Sequence, residues 1–145
     1  MLGPREGGTR VRERARQVLL AVTALIFLGI AAGSLVAPHR MARDLGYTLD
    51  NVDALNEFRA IYVGLWLAKA AFFVVAARRA ADLPLLGDLG GMLLLGQTVG
   101  RLSSLILDGL PARPMIWTVL LVEAAGGIVV LLLRPRALAP ARMKG

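Results

Sequence analysis

The segment GQTVGRLSSLILDG sets Gln97, Arg101, Ser104 and Asp108 three or four residues apart. At 100° per residue, all four fall within about 60° of one another on a helix. An amide, a guanidinium, a hydroxyl and a carboxylate on one face can bind a polar or anionic group and exchange a proton with it. Two further carboxylates stand in apolar surroundings: Glu57, in NEFRAIY, and Glu123, the one acidic residue of the last apolar run. A carboxylic acid that burial keeps partly neutral is a competent proton donor. Glu57, Asp108 and Glu123 are therefore the candidate catalytic residues. Asn56, Arg59, Tyr62, Gln97, Arg101 and Ser104 are the candidate ligand-binding residues.

The elements that must position these groups are membrane helices. The chain has 145 residues, 57% of them hydrophobic and only 19% charged. Its apolar runs cover about residues 17–37, 56–77, 83–107 and 115–133, each close to the roughly 20 residues a helix needs to cross a bilayer. They are continuous, without the period-2 alternation of barrel strands. The expected fold is all-α, a bundle of four transmembrane helices over residues 17–133. A disordered basic arm (1–16) precedes it and a basic tail (134–145) comes after it. A cleaved signal peptide is the competing reading of the first run, which is somewhat long for one. The connection PHRMARDLGYTLDNVDAL reads either as a short interfacial helix with a turn at Gly46 or as a plain loop. Asn51 or Asp53 is placed to cap the second span.

Basic residues give the orientation. The arm, the Arg78–Arg79 connection and the tail (Arg134, Arg136, Arg142, Lys144) lie on one side and carry eleven Arg or Lys, against Arg40, Arg43 and Arg113 on the other. The positive-inside rule then makes both termini cytoplasmic, and the expected location is the inner (plasma) membrane of a bacterium. At 1.5 Å per residue from the outer end, Arg101 lies about 10 Å deep and Glu123 about 12 Å. Intramembrane charges face the bundle interior and pair, so an Arg101–Glu123 pair is expected, with Arg59 and Asp108 pairing nearer the rim. Lys69, about 20 Å deep and on nearly the opposite face from Glu57, is expected to snorkel to the cytoplasmic headgroups. Small residues suit close helix contacts: Ala60, Gly64, Ala68 and Ala71 in the second span, Gly96 and Gly100 in the third, Ala124 to Gly127 in the fourth.

Several classes are excluded. There is no cysteine, and His39 is the single histidine, so neither a thiolate metal site nor a disulfide is possible; no metal and no cofactor is expected. The net charge of +7 sits at helix ends rather than among aromatics, which speaks against nucleic acid. The first span has no charge between Arg16 and Pro38, unlike four-helix exporters that depend on an acidic residue there, so a transporter ranks last.

The motifs NEFRAIYVGLWLA and GRLSSLILDGLP, with the lone glutamate of the last span, resemble the domain of unknown function 4345 family of bacteria, small four-helix membrane proteins of the wider DoxX-like kind. The resemblance covers about Val18 to Leu133. It implies Asn56, Glu57, Arg59, Tyr62, Gly64, Gly100, Arg101, Ser104, Asp108, Gly109 and Glu123 as characteristic positions. Val63 stands where the family leads one to expect a second glycine. The family carries no established activity. The expected function is a membrane protein, surrounded by lipid, that binds or converts a lipophilic small molecule by isomerase-, cyclase- or hydrolase-type acid–base chemistry. The alternative is a non-enzymatic accessory subunit, in a homo-oligomer or a membrane complex, whose Arg–Glu cluster locks helices together.

Overall fold

The computed structural model describes residues 4–134, and every regular element in them is helical. Helix α1 runs Pro4–Val36, α2 Pro38–Leu45, α3 Val52–Arg59, α4 Trp66–Arg79, α5 Pro84–Leu107 and α6 Pro114–Leu132; a π-helical segment, Ala60–Leu65, joins α3 to α4 without a break. Proline punctuates the chain. Pro38, Pro84 and Pro114 each occupy the first turn of a helix, where the missing N–H would have had no partner. Asn51 caps α3 by accepting from the Ala54 amide at 2.8 Å. Gly46, at φ +93°, ends α2 in the left-handed conformation that suits glycine, so the first connection is helix and turn.

Three stretches are long and apolar enough to cross a membrane: Gly8–Val36, Val52–Arg79 and Pro114–Leu132. These mark a membrane protein. The 24-residue α5 is longer than the last of these. It is not among the three; Asp88, Gln97, Arg101 and the two serines that follow lower its hydropathy. The expectation of four spans is thus met for three by length and composition.

The core is assembled from apolar residues three and four apart. Leu20, Ala24, Phe27 and Ala31 form the inward stripe of α1; Trp66, Ala70, Phe73 and Ala76 form that of α4. Alanine at alternate positions lets the two helices approach, and Phe27 meets Trp66 and Phe73 edge-on at 5.1 and 5.3 Å between centroids. The second helix pair is α5 with α6. Their closest approach is at Gly91 and Gly127, where a Cβ on Gly127 would lie 3.0 Å from the Gly91 carbonyl oxygen. The expected contact at Gly96 and Gly100 is not made, since nothing lies within 4 Å of a Cβ built there.

Residues 4–16, expected to be a disordered arm, continue α1 as helix. Tertiary contacts hold this extension: Arg12 donates to the Leu132 carbonyl and Arg16 is completely buried. Most of the basic tail, including Arg136, Arg142 and Lys144, lies outside the described residues.

Candidate functional site

The α5 helix carries a network on its C-terminal half. Arg101 donates from Nε to Glu123 Oε2 at 2.7 Å and from Nη2 to Oε1 at 3.2 Å, so the expected pair is formed, and it is bidentate. Gln97 donates to Glu123 Oε1 at 2.9 Å and accepts from Lys69 Nζ at 3.0 Å. Glu123 is 4% exposed, whereas the Arg101 side chain retains 25%. The difference reflects position: Glu123 faces the packed interior of α6, and Arg101 borders a cavity. That cavity, of about 560 Å³, lies between the C-terminal half of α5, the 108–113 turn and the start of α6. Gln97, Arg101, Ser104 and Asp108 all line it, with Trp117 and Leu120 opposite. The size falls within the range of small-molecule sites, about 300–1,000 Å³. Trp117 donates its indole N–H to the Pro111 carbonyl at 3.0 Å, which ties the turn down over the cavity.

Of the expected site residues, the structure brings Gln97, Arg101, Ser104, Asp108 and Glu123 together. Asn56, Glu57 and Arg59 stand apart on α3 and are exposed. Asp108 does not pair with Arg59; it accepts from Ser104, one turn back, at 2.8 Å. The reason is tertiary: the element packed against α3 is α2, not α5. Matched depth in a membrane is no evidence of a shared face. Glu57 lines a separate cavity of about 240 Å³ with Tyr47, Phe58 and Tyr62. Tyr62 bridges the regions. Its ring stacks on Phe58 at 4.5 Å, its hydroxyl donates to that of Tyr47 at 3.2 Å, and it shares a small internal void with Arg101.

Lys69 corrects the sequence-based expectation. It does not reach for headgroups. It is half-buried, donates to Gln97, and lies 5.3 Å from the Trp66 ring and 5.7 Å from Phe27. A wheel angle of 100° per residue does not hold through Ala60–Leu65. A π-turn takes up one extra residue and rotates the downstream helix by about 100°.

A second buried cluster has no counterpart in the expectations. Arg16, 0% exposed, forms an ion pair with Asp88 and also donates to the carbonyls of Val130 at 3.1 Å and Pro84 at 3.2 Å. Arg134 reaches the other Asp88 oxygen at 3.2 Å. One guanidinium thus binds α1 to α5 and α6. Gly87 makes room for it, since a Cβ there would lie 2.6 Å from the guanidinium carbon. A lone aspartate among glycines near the start of an apolar helix was the available signal.

The sequence profile of a domain of unknown function, DUF4345, matches residues 15–134. The chain belongs to this family. The matched span runs from the residue before Arg16 through Arg134, so the family's extent includes both polar clusters. No curated protein and no solved structure matches the chain. Among the described residues no group of His, Cys, Asp and Glu could hold a metal ion.

Proposed function

We propose that the chain is a four-span protein of a bacterial inner membrane, with cytoplasmic termini, that binds or converts a lipophilic small molecule carrying an anionic or acceptor-rich group. The observation that carries this reading is the Arg101–Glu123–Gln97 network, whose Arg101 and Gln97 line the 560 Å³ cavity with Glu123 directly behind them. Arg101 spends two of its five N–H donors on Glu123, which leaves three toward the cavity. Lys69 and Arg101 carry two positive charges, and Glu123 and Asp108, the latter at the mouth of the cavity, carry two negative ones. The unspent donors of Arg101, rather than a net charge, are what an anionic or acceptor-rich group would meet. Glu123 then acts as general base or acid, with Asp108 at the mouth as a second proton carrier. Glu57, Asn56 and Arg59 are left as an outer surface that a larger ligand could touch. The fourth span is α5: Gln97 and Arg101 on its polar face engage Lys69 and Glu123, and Ser104 and Asp108 are exposed at the cavity.

The test is gentle purification from the native host with mass spectrometry of co-purifying molecules, for wild type and Glu123→Gln. A ligand with an acidic or strongly polar group that falls in the variant, while the helices stay folded, supports the site. Unchanged ligand content and phenotype in a folded Glu123→Gln protein refutes it. Orientation is tested separately in this cysteine-free chain: Leu110→Cys should react with an impermeant thiol reagent in intact cells, and Ala81→Cys should not. The accessory-subunit reading is favoured by one feature, the open faces of Gly96 and Gly100, which a partner helix could cover.

A further inference from the structure

Arg16 ties the two helix pairs together at one end of the bundle. Where α1 and α6 separate they leave an apolar groove of about 500 Å³, bordered by Phe27 and Trp66 at depth and by Val122 and Gly126 along α6. Glu123, though 4% exposed, is part of its wall. The carboxylate therefore stands between two spaces: the polar cavity behind Arg101, and this groove open along the apolar flank of the bundle.

Two hydroxyls on the groove share one property. Thr23 gives its hydroxyl proton to the Leu19 carbonyl at 2.9 Å, and Thr118 gives its own to the Pro114 carbonyl at 3.2 Å. Both oxygens keep only acceptor capacity toward the groove. Glu123 receives three hydrogen bonds, two on Oε1 and one on Oε2. A carboxylate has about four lone-pair positions, so one remains, on Oε2. The groove is thus an apolar trough whose hydroxyls and carboxylate accept, with the Trp66 indole N–H as the donor group on its wall. The cavity on the far side of the same carboxylate is rich in donors.

We infer that the α1–α6 groove is a second subsite, entered from the bilayer, for a neutral single-chain lipophile with a terminal hydroxyl, a long-chain alcohol that donates its proton to Glu123 Oε2. An anionic amphiphile is disfavoured there, because its head would meet a carboxylate and two hydroxyl oxygens, with no cationic group on the wall and only the neutral Trp66 indole N–H to donate. The inference rests on the reading of Glu123 as a site residue, but it concerns a different space.

The two tryptophans separate the two spaces, since Trp66 borders the groove and Trp117 borders the polar cavity. The full chain in liposomes, with Trp117→Phe to isolate Trp66, is titrated with 9,10-dibromo-octadecanol, with 9,10-dibromostearate at neutral pH, and with dibrominated phosphatidylcholine as bulk lipid. The expected result is saturable quenching by the alcohol, about tenfold weaker binding of the carboxylate, and only proportional quenching by the phospholipid. Gly126→Leu fills the groove without touching the network, as its Cβ would meet Leu94 at an ordinary 3.4 Å, and should weaken the alcohol at least tenfold. Proportional quenching by all three probes, equal or better binding of the carboxylate, or indifference to Gly126→Leu each overturns the inference. A Trp66→Phe protein, reporting from Trp117, reads the polar cavity independently. A stearate response at Trp117 with none from the alcohol at Trp66 rejects the groove and leaves the anion site standing.

Discussion

Helix α5 carries two buried ion pairs thirteen residues apart, and they are built to different ends. At Asp88 the partner arginine is wholly buried, it donates to a carboxylate and to two carbonyls from α5 and α6, and a glycine is spent to seat it. At Arg101 the arginine keeps free donors, borders a large cavity, and its carboxylate is shared with an amide that a lysine also engages. The first arrangement leaves no space for a ligand. The second has both the groups and the space. A buried ion pair is thus no sign of a site by itself; donors left over beside a cavity are.

Mutation tests this contrast. The largest effect is expected from Asp88→Ala, which leaves Arg16 buried without its carboxylate. It should cost about 3–5 kcal/mol, read as loss of thermal stability in detergent. Arg101→Ala should cost less, about 2–3 kcal/mol, because Gln97 still donates to Glu123 and the site is partly open. If the two variants melt alike, the distinction between lock and site fails. The same small substitution at each end probes it further. Gly87→Ala drives a methyl into the Arg16 guanidinium and should cost about 1–3 kcal/mol. Gly100→Ala meets nothing within 4 Å and should be neutral or stabilising by up to about 1 kcal/mol through helix propensity. The smallest effect is expected from Lys69→Met, about 0.5–1.5 kcal/mol for one hydrogen bond, with any loss of ligand exceeding the loss of stability.

Much of the architecture is legible in the residues themselves. The helix ends at Pro38, Pro84, Asp108 and Pro114 arise from backbone chemistry that acts locally. The Arg101–Glu123 pair is legible because the two runs are consecutive, joined by a short turn, and equal depth on antiparallel neighbours is close to contact. The Arg59–Asp108 pair fails because their helices are not such neighbours. Lys69 is misplaced because nothing in AIYVGL marks a π-turn; the extra residue is accommodated through packing, which the local sequence does not encode. Arg16 counts only as a topology signal, since a sequence cannot tell an arginine at the headgroups from one folded inward onto an aspartate seventy-two residues away.

From the amino-acid order alone, the chain is helical, apolar enough for a membrane, without cysteine chemistry, and polar along one face of α5. These properties come from composition and from a 3.6-residue period, which need no knowledge of neighbours. Which charges meet was decided by the packing of the helices. It turned Lys69 inward, set Arg59 apart, buried Arg16 against Asp88, and put Glu123 between a donor-rich cavity and an acceptor-lined groove. The physical reason is that pairing depends on rotation and distance between helices. These are set by where glycines let backbones approach and where larger side chains hold them apart.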